Sequence, residues 1–328
     1  MARLCVSGYA RCMTGLAAKK RISRMGWVLI VLALIAAALF GAWRYAMATN
    51  AVALLDWADR ALAGTGGTVV LESGVAFGPD PAQQLEVIGP NAPGPHPVLV
   101  FIHGGSWNSG MPGDYHFIGR QFARAGYLVV LPGYRLGPAG RYPHMLEDSA
   151  AAVAWVQANA QRLGGDPARV FLMGHSAGAY NAVMLGLERQ WLGRAGVADG
   201  FVKGIVGLSG PYDFFPFTSD SARDAFGHES DPAVTQPIHY ARGDAPPMLL
   251  LTGDADETVK PRNSVALAKA LTANGRPTTP VILTGVDHSG TVMKLAAPFN
   301  RDTRVLEPVL AFLAAHGGAS AAVQAKAP

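Results

Sequence analysis

The pentapeptide Gly174-His175-Ser176-Ala177-Gly178 constrains this chain more than any other segment. It follows the apolar run Val170-Phe171-Leu172-Met173 and precedes residues 179–187, which have helical composition. A Gly-x-Ser-x-Gly turn between a strand and a helix is a nucleophile elbow. The serine backbone is strained, and the small flanking residues let strand and helix approach closely. The hydroxyl then stands clear of the sheet at the positive end of a helix dipole. A Gly-rich turn with an idle serine would spell the same five letters, so the reading depends on the surrounding chain.

Upstream, Val98-Leu99-Val100-Phe101-Ile102 is a fully apolar strand run, followed by His103-Gly104-Gly105-Ser106-Trp107. A Gly-rich loop at that point can aim backbone N–H groups at the elbow. Acyl transfer needs such donors, because negative charge develops on the carbonyl oxygen in the tetrahedral intermediate. The expected oxyanion donors are the amides of Gly105, Ser106 and Ala177.

His-Gly-Gly-x-Trp upstream of Gly-His-Ser-Ala-Gly resembles the α/β-hydrolase superfamily. Within it the chain is most similar to the branch of hormone-sensitive-lipase-like esterases, BD-FAE (bacterial feruloyl-esterase-like) proteins and arylformamidases. The resemblance runs from about residue 69 to 315 and includes Gly164-Gly165-Asp166-Pro167-Ala168-Arg169-Val170 and Leu146-Glu147-Asp148. Hormone-sensitive-lipase-like esterases carry His-Gly-Gly-Gly. Here Ser106 replaces the third glycine, which tilts the match toward the other two groups.

The remaining partners of the serine follow in the order acid, then histidine. The run Met248-Leu249-Leu250-Leu251-Thr252 leads into Gly253-Asp254-Ala255-Asp256-Glu257-Thr258-Val259. Asp254 and Asp256 compete for the acid; the family pattern Gly-x-x-Asp-x-x-Val selects Asp256, and Asp254 then reads as a turn residue. His288 stands in a Gly-flanked loop after the final apolar run, Val281-Ile282-Leu283, where the resemblance places the base. The resemblance therefore implies a serine hydrolase of small carboxylic esters, acting through Ser176, His288 and Asp256. An arylformamidase-like amidase is the alternative. A non-catalytic exported binding module is a third reading, disfavoured by the completeness of the motifs.

Eight strand-like runs lie near Val69, Leu85, Val98, Tyr127, Val170, Gly204, Met248 and Val281. Helical stretches over 117–125, 145–160, 177–187 and 265–274 separate most of the later ones. This alternation predicts an α/β fold with a mostly parallel eight-stranded sheet covered on both faces. The first two strands lack a helix between them, which predicts an antiparallel edge. Residues 67–317 would form the hydrolase domain. Residues 211–246 would be a short cap, whose Tyr212, Phe214, Phe215, Phe217 and Phe226 join Trp107, Tyr115 and Tyr134 as candidate pocket aromatics.

The N-terminal region is of another kind. Residues 25–43 carry no charge and are long enough to span a bilayer core of about 20 residues. Arg3, Arg11, Lys19, Lys20, Arg21 and Arg24 precede them, with no acidic residue. That asymmetry predicts a basic cytoplasmic tail over 1–24, an anchor over 25–45, a linker over 46–66 and a hydrolase outside the cytoplasm. Ala46-Met47-Ala48 keeps a cleaved signal as the rival to the anchor. The net charge of +4 reflects the tail: without its six basic residues the remainder sums to −2. Nucleic acid is therefore not an expected partner. Both cysteines, Cys5 and Cys12, fall in the tail, and no motif calls for a metal or organic cofactor. Residues 318–328 are expected to be a disordered tail.

Overall fold

The computed structural model describes residues 23–317. Most of the basic tail, both cysteines and the segment 318–328 lie outside the described residues. The described chain divides into two units, with the boundary between Ala51 and Val52.

The second unit holds an eight-stranded sheet: β1 (Thr68–Ala76), β2 (Gln84–Pro90), β3 (His96–Ile102), β4 (Leu128–Pro132), β5 (Gly165–His175), β6 (Val202–Leu208), β7 (Met248–Gly253) and β8 (Val281–Leu283). Their spatial order is β1-β2-β4-β3-β5-β6-β7-β8. β1 pairs antiparallel with β2, and β2 antiparallel with β4. All other neighbours run parallel.

The helices are α1 (Arg24–Ala63), α2 (His116–Arg124), α3 (His144–Asn159), α4 (Ala177–Leu187), α5 (Arg189–Arg194), α6 (Asp220–Phe226), α7 (Arg262–Ala273), α8 (Gly290–Met293) and α9 (Leu306–His316). The central strands carry unbroken apolar runs, such as Val98–Ile102 and Val170–Met173, because both faces are covered, as parallel sheets require. Along β3, Val98, Val100 and Ile102 enter the core shared with Leu146, Val153, Tyr180, Val183 and Leu271 of α3, α4 and α7. Leu99 and Phe101 point the opposite way, into a core with Phe117 and Phe122 of α2 and Val309 and Leu313 of α9. The same alternation splits Val170 and Leu172 of β5 from Phe171 and Met173.

One expected boundary differs. The segment read as a linker is helical, since α1 continues through residues 46–63. No Gly or Pro lies between Gly41 and Gly64, so nothing stops the helix until Gly64, whose φ is +69°. Arg124 donates to the carbonyls of Ala63, Gly64 and Gly66 and so satisfies the helix end. The last turns carry Asp56 and Asp59. Arg120 of α2 is buried between them, with N–O distances of 2.8 Å to Asp56 and 2.7 Å to Asp59. Asp59 also accepts the Ala297 amide at 2.9 Å.

Within the first unit, residues 24–41 form the one helical span among the described residues long and apolar enough to cross a membrane. Its mean hydropathy is 2.1, and none of it is buried. A signal sequence has the same properties.

Candidate active site

The elbow sits where β5 ends and α4 begins. Ser176 has φ +54° and ψ −120°, a region that costs a non-glycine residue about 1–3 kcal/mol. The flanking glycines are dictated by contact. A Cβ on Gly174 would lie 2.2 Å from the Gly178 carbonyl oxygen, and one on Gly178 would lie 2.0 Å from that of Ile102. Strand, helix and β3 therefore meet backbone to backbone around the serine.

The loops after β7 and β8 complete the arrangement. His288 Nε2 is 2.9 Å from Ser176 Oγ, and His288 Nδ1 is 2.9 Å from Asp256 Oδ2. Asp256 is buried, and its Oδ1 accepts the amides of Thr258 at 3.0 Å and Val259 at 2.8 Å. Burial alone would raise its pKa. The hydrogen bonds from His288, the Val259 amide and the Ser209 hydroxyl outweigh burial and hold the carboxyl below its usual range. Asp254 faces elsewhere: its Oδ1 accepts the Gly285 amide at 2.7 Å, tying the turn after β7 to the turn after β8. The structure thus brings Ser176, His288 and Asp256 into one hydrogen-bonded line and leaves Asp254 out of it.

Gly105, Ser106 and Trp107 all have positive φ, at +118°, +54° and +59°. A Cβ on Gly105 would lie 2.0 Å from the Ser109 carbonyl oxygen, so that position accepts glycine alone. Among the described residues the Gly105 and Ser106 amides donate no hydrogen bond within the protein. Ala177 opens α4, so its amide has no intrahelical acceptor. A Cβ on Gly104 would touch Ser176 Cβ at 3.4 Å, which sets the loop against the serine. The loop carrying the Gly105 and Ser106 amides and the helix opened by Ala177 thus meet at the serine.

Several supporting residues had no role assigned from the sequence, although His175 and Asp148 lie in its motifs. His175 neighbours the serine in sequence, yet its ring centroid lies 4.9 Å from that of His288 and its Nε2–H donates to the His288 carbonyl at 3.0 Å. Burial, then the neighbouring His288, lowers its pKa to about 3, so it is a neutral strut for the His288 loop. Thr291 gives its proton to the His288 carbonyl at 3.0 Å and lies 3.2 Å from the hydroxyl of Ser209, which stands at φ +49° after β6 and helps hold the Asp256 carboxyl below its usual range. Asp148 is completely buried and receives Gln83 Nε2, the Arg135 amide and the Arg135 guanidinium. This polar cluster locks the turn after β4, whose Gly137 amide donates to the Trp107 carbonyl at 2.8 Å.

The aromatic expectation needs correcting in part. Tyr115 and Tyr134 are buried and stack on His103, 5.7 and 4.5 Å from its ring. Tyr134 donates to the His103 carbonyl at 3.0 Å. Burial lowers the His103 pKa to about 4. These two tyrosines brace the loop from behind. Tyr212 is fully buried under the cap. Trp107, Phe214, Phe217 and Phe226 do form one cluster with Tyr180, and Phe215 is half exposed. A large aromatic side chain fills space in a core as readily as it lines a cleft, so composition alone did not separate the two groups.

A mostly parallel eight-stranded sheet, helices on both faces and a strained serine at a strand–helix turn define an α/β-hydrolase fold. Residues 86–271 match the BD-FAE family model, and the chain belongs to the BD-FAE family. The isoprenylcysteine alpha-carbonyl methylesterase of Arabidopsis thaliana is 28% identical over 241 residues, covering 66% of this chain and 56% of that protein. Esterase LipC of Mycobacterium tuberculosis is 29% identical over 226 residues, covering 62% and 55%. The chain thus spans little more than half the length of these curated relatives. The thermostable carboxylesterase EstE1, cloned from a metagenomic library, superposes with a TM-score of 0.65 at 20% identity. That match covers 81% of this chain and 96% of EstE1.

Proposed function

We propose that this protein is a carboxylic-ester hydrolase that works through an acyl-enzyme on Ser176. The observation that carries the reading is the line from Ser176 Oγ to His288 to Asp256, with both links at 2.9 Å, on a strained elbow. Membership of the BD-FAE family and similarity to proteins named as esterases support it.

Asp256 holds the proton of His288 on Nδ1, which leaves the Nε2 lone pair facing the hydroxyl. As Ser176 Oγ attacks the ester carbonyl carbon, His288 Nε2 takes its proton. The carbonyl oxygen becomes an oxyanion and is met by the amides of Gly105, Ser106 and Ala177. Collapse of the tetrahedral adduct breaks the bond to the alcohol, which leaves with the proton from Nε2. Water then adds to the acyl-enzyme by the same proton route and releases the acid. The cap is short, which favours small esters, and the aromatic cluster beside Trp107 favours apolar ones.

The N-terminal segment is proposed to anchor the protein, with the hydrolase outside the cytoplasm. The uncharged span after a basic tail supports this orientation. The unbroken course of α1 through residues 46–48 favours retention over cleavage there. N-terminal sequencing of the membrane fraction distinguishes them, a mature start at Thr49 replacing the anchor with a signal.

The activity test sets short-acyl p-nitrophenyl esters beside N-formyl aryl amides, with Ser176→Ala as control. Ester turnover and fluorophosphonate labelling are expected in the parent and absent in the variant. Faster turnover of the formamides would replace the esterase reading with the amidase one. Full ester turnover by Ser176→Ala would remove the mechanism.

A further inference from the structure

We propose that Asn181 is a positioning residue that sets the spacing of the three oxyanion amides by holding the indole of Trp107. The proposal rests on the serine-esterase reading above and identifies what holds that site in register.

Asn181 is the one amide side chain in α4, a helix otherwise built from Ala, Gly, Val, Met, Leu and Tyr, and it is completely buried. A leucine there would suit the apolar surroundings. A buried amide is costly unless its hydrogen bonds are made, so its presence answers a specific need.

The donor and acceptor roles are fully determined. An indole N–H can only donate, so Trp107 Nε1 gives its proton to Asn181 Oδ1 at 3.2 Å. Asn181 Nδ2 then donates to Ser149 Oγ at 3.2 Å. Ser149 must accept there, because its own proton goes to the Met145 carbonyl at 2.7 Å. One amide orientation alone satisfies the chain from Trp107 to α3.

The far end of the indole is the strained loop. Gly105, Ser106 and Trp107 are consecutive left-handed residues, and two of them carry side chains. Such a run persists where its surroundings over-determine it. Ser109 closes the loop on itself through the Gly105 carbonyl. Gly137 and Tyr134 hold the loop to the turn after β4. The Trp107–Asn181 bond is the side-chain tie to α4. That helix carries Ala177, and Asn181 lies one turn after Ala177 on the same face. The bond therefore joins the element bearing two of the donors to the element bearing the third. Trp107 also packs edge-on against Tyr180 at 5.4 Å and Phe226 at 4.8 Å, so the indole cannot swing away without disturbing the cap.

The test uses the full chain and measures kcat and KM for p-nitrophenyl butyrate, the pH profile of kcat/KM, and inhibition by 1-butaneboronic acid, whose adduct oxygen occupies the oxyanion position. Asn181→Leu is expected to lower kcat about 30-fold, less than outright loss of a donor. KM should stay within about threefold, and boronate affinity should fall in parallel with kcat. The pH profile should keep its midpoint, since the Ser176–His288–Asp256 line is untouched. Trp107→Phe keeps a ring and removes the donor, so it should reproduce the kcat-selective loss even if Asn181→Leu fails to fold. In a Trp107→Phe background, Asn181→Leu should cost little more. Retention of kcat in either single variant, a loss confined to KM, or a shifted pH midpoint would overturn the proposal. So would additive losses in the double variant. A parent without esterase activity would remove the functional reading and this proposal together, whereas an active parent with an unimpaired Asn181→Leu removes this proposal alone.

Discussion

Replacing Asp256 with Asn should damage the reaction through a proton's position while leaving the shape of the site intact. Oδ1 of Asp256 is held by two backbone amides, Thr258 at 3.0 Å and Val259 at 2.8 Å. In Asp256→Asn those donors select the carbonyl oxygen, so the new NH2 group must face His288 Nδ1. Nδ1 can meet it only as an acceptor, which moves the imidazole proton to Nε2. Nε2 then has no lone pair for the Ser176 hydroxyl, 2.9 Å away. The rate should fall roughly 10⁴-fold, about 5.4 kcal/mol of barrier. Asp254→Asn is the internal control. Its one protein contact at Oδ1, the Gly285 amide at 2.7 Å, suits an amide carbonyl equally well. The rate should therefore stay within about threefold of the parent. Initial rates on p-nitrophenyl butyrate, with thermal melts to confirm folding, decide the matter. An Asp256→Asn enzyme with more than a tenth of parental activity would refute the tautomer argument. Greater damage from Asp254→Asn would move the acid by two residues.

Three further outcomes follow from packing and charge. His103 and His175 are buried with pKa values lowered to about 4 and about 3, mainly by desolvation. Between pH 6.5 and those values the unfolded chain binds protons that the folded one refuses, so stability falls as pH falls. The loss should be roughly 2 kcal/mol for each histidine between pH 7.5 and pH 5, and urea unfolding that is flat across this range would contradict it. Arg120→Leu strands the buried carboxylate of Asp59 beside that of Asp56, and should cost about 3–5 kcal/mol, lowering Tm by about 10 °C. Gly178→Ala forces a Cβ to 2.0 Å from a backbone oxygen of β3 and should sharply lower both soluble yield and Tm. Gly193→Ala in α5 meets nothing within 4 Å and should be neutral or slightly stabilising, so equal behaviour of the two by thermal melt would contradict the close-approach argument.

Much of this fold was legible in the sequence because its determinants are local. Each buried parallel strand is built on a short apolar run, since both of its faces meet helices, and the stretches between the runs have helical length and composition. The elbow was legible because backbone contact at Gly174 and Gly178 leaves no room for a Cβ, so geometry and residue type coincide. The order of Ser176, Asp256 and His288 was readable for a related reason: each stands just after a strand, and parallel strands deliver their ends to one edge of the sheet. Tertiary structure decided what depends on partners distant along the chain. Asp254 and Asp256 share one turn, and the approach of the turn after β8 gives Gly285 to the first and His288 to the second. Arg120 reaches back to Asp56 and Asp59 across more than sixty residues, which turned an expected linker into the last turns of a docked helix. Asn181 and Ser209 look in sequence like stray polar letters in an apolar helix or loop, and Asp148 belongs to a motif that names no partner for it. Their meaning lies in a hydrogen bond to a side chain or backbone group brought near by the sheet, and one-dimensional periodicity carries no record of such a bond.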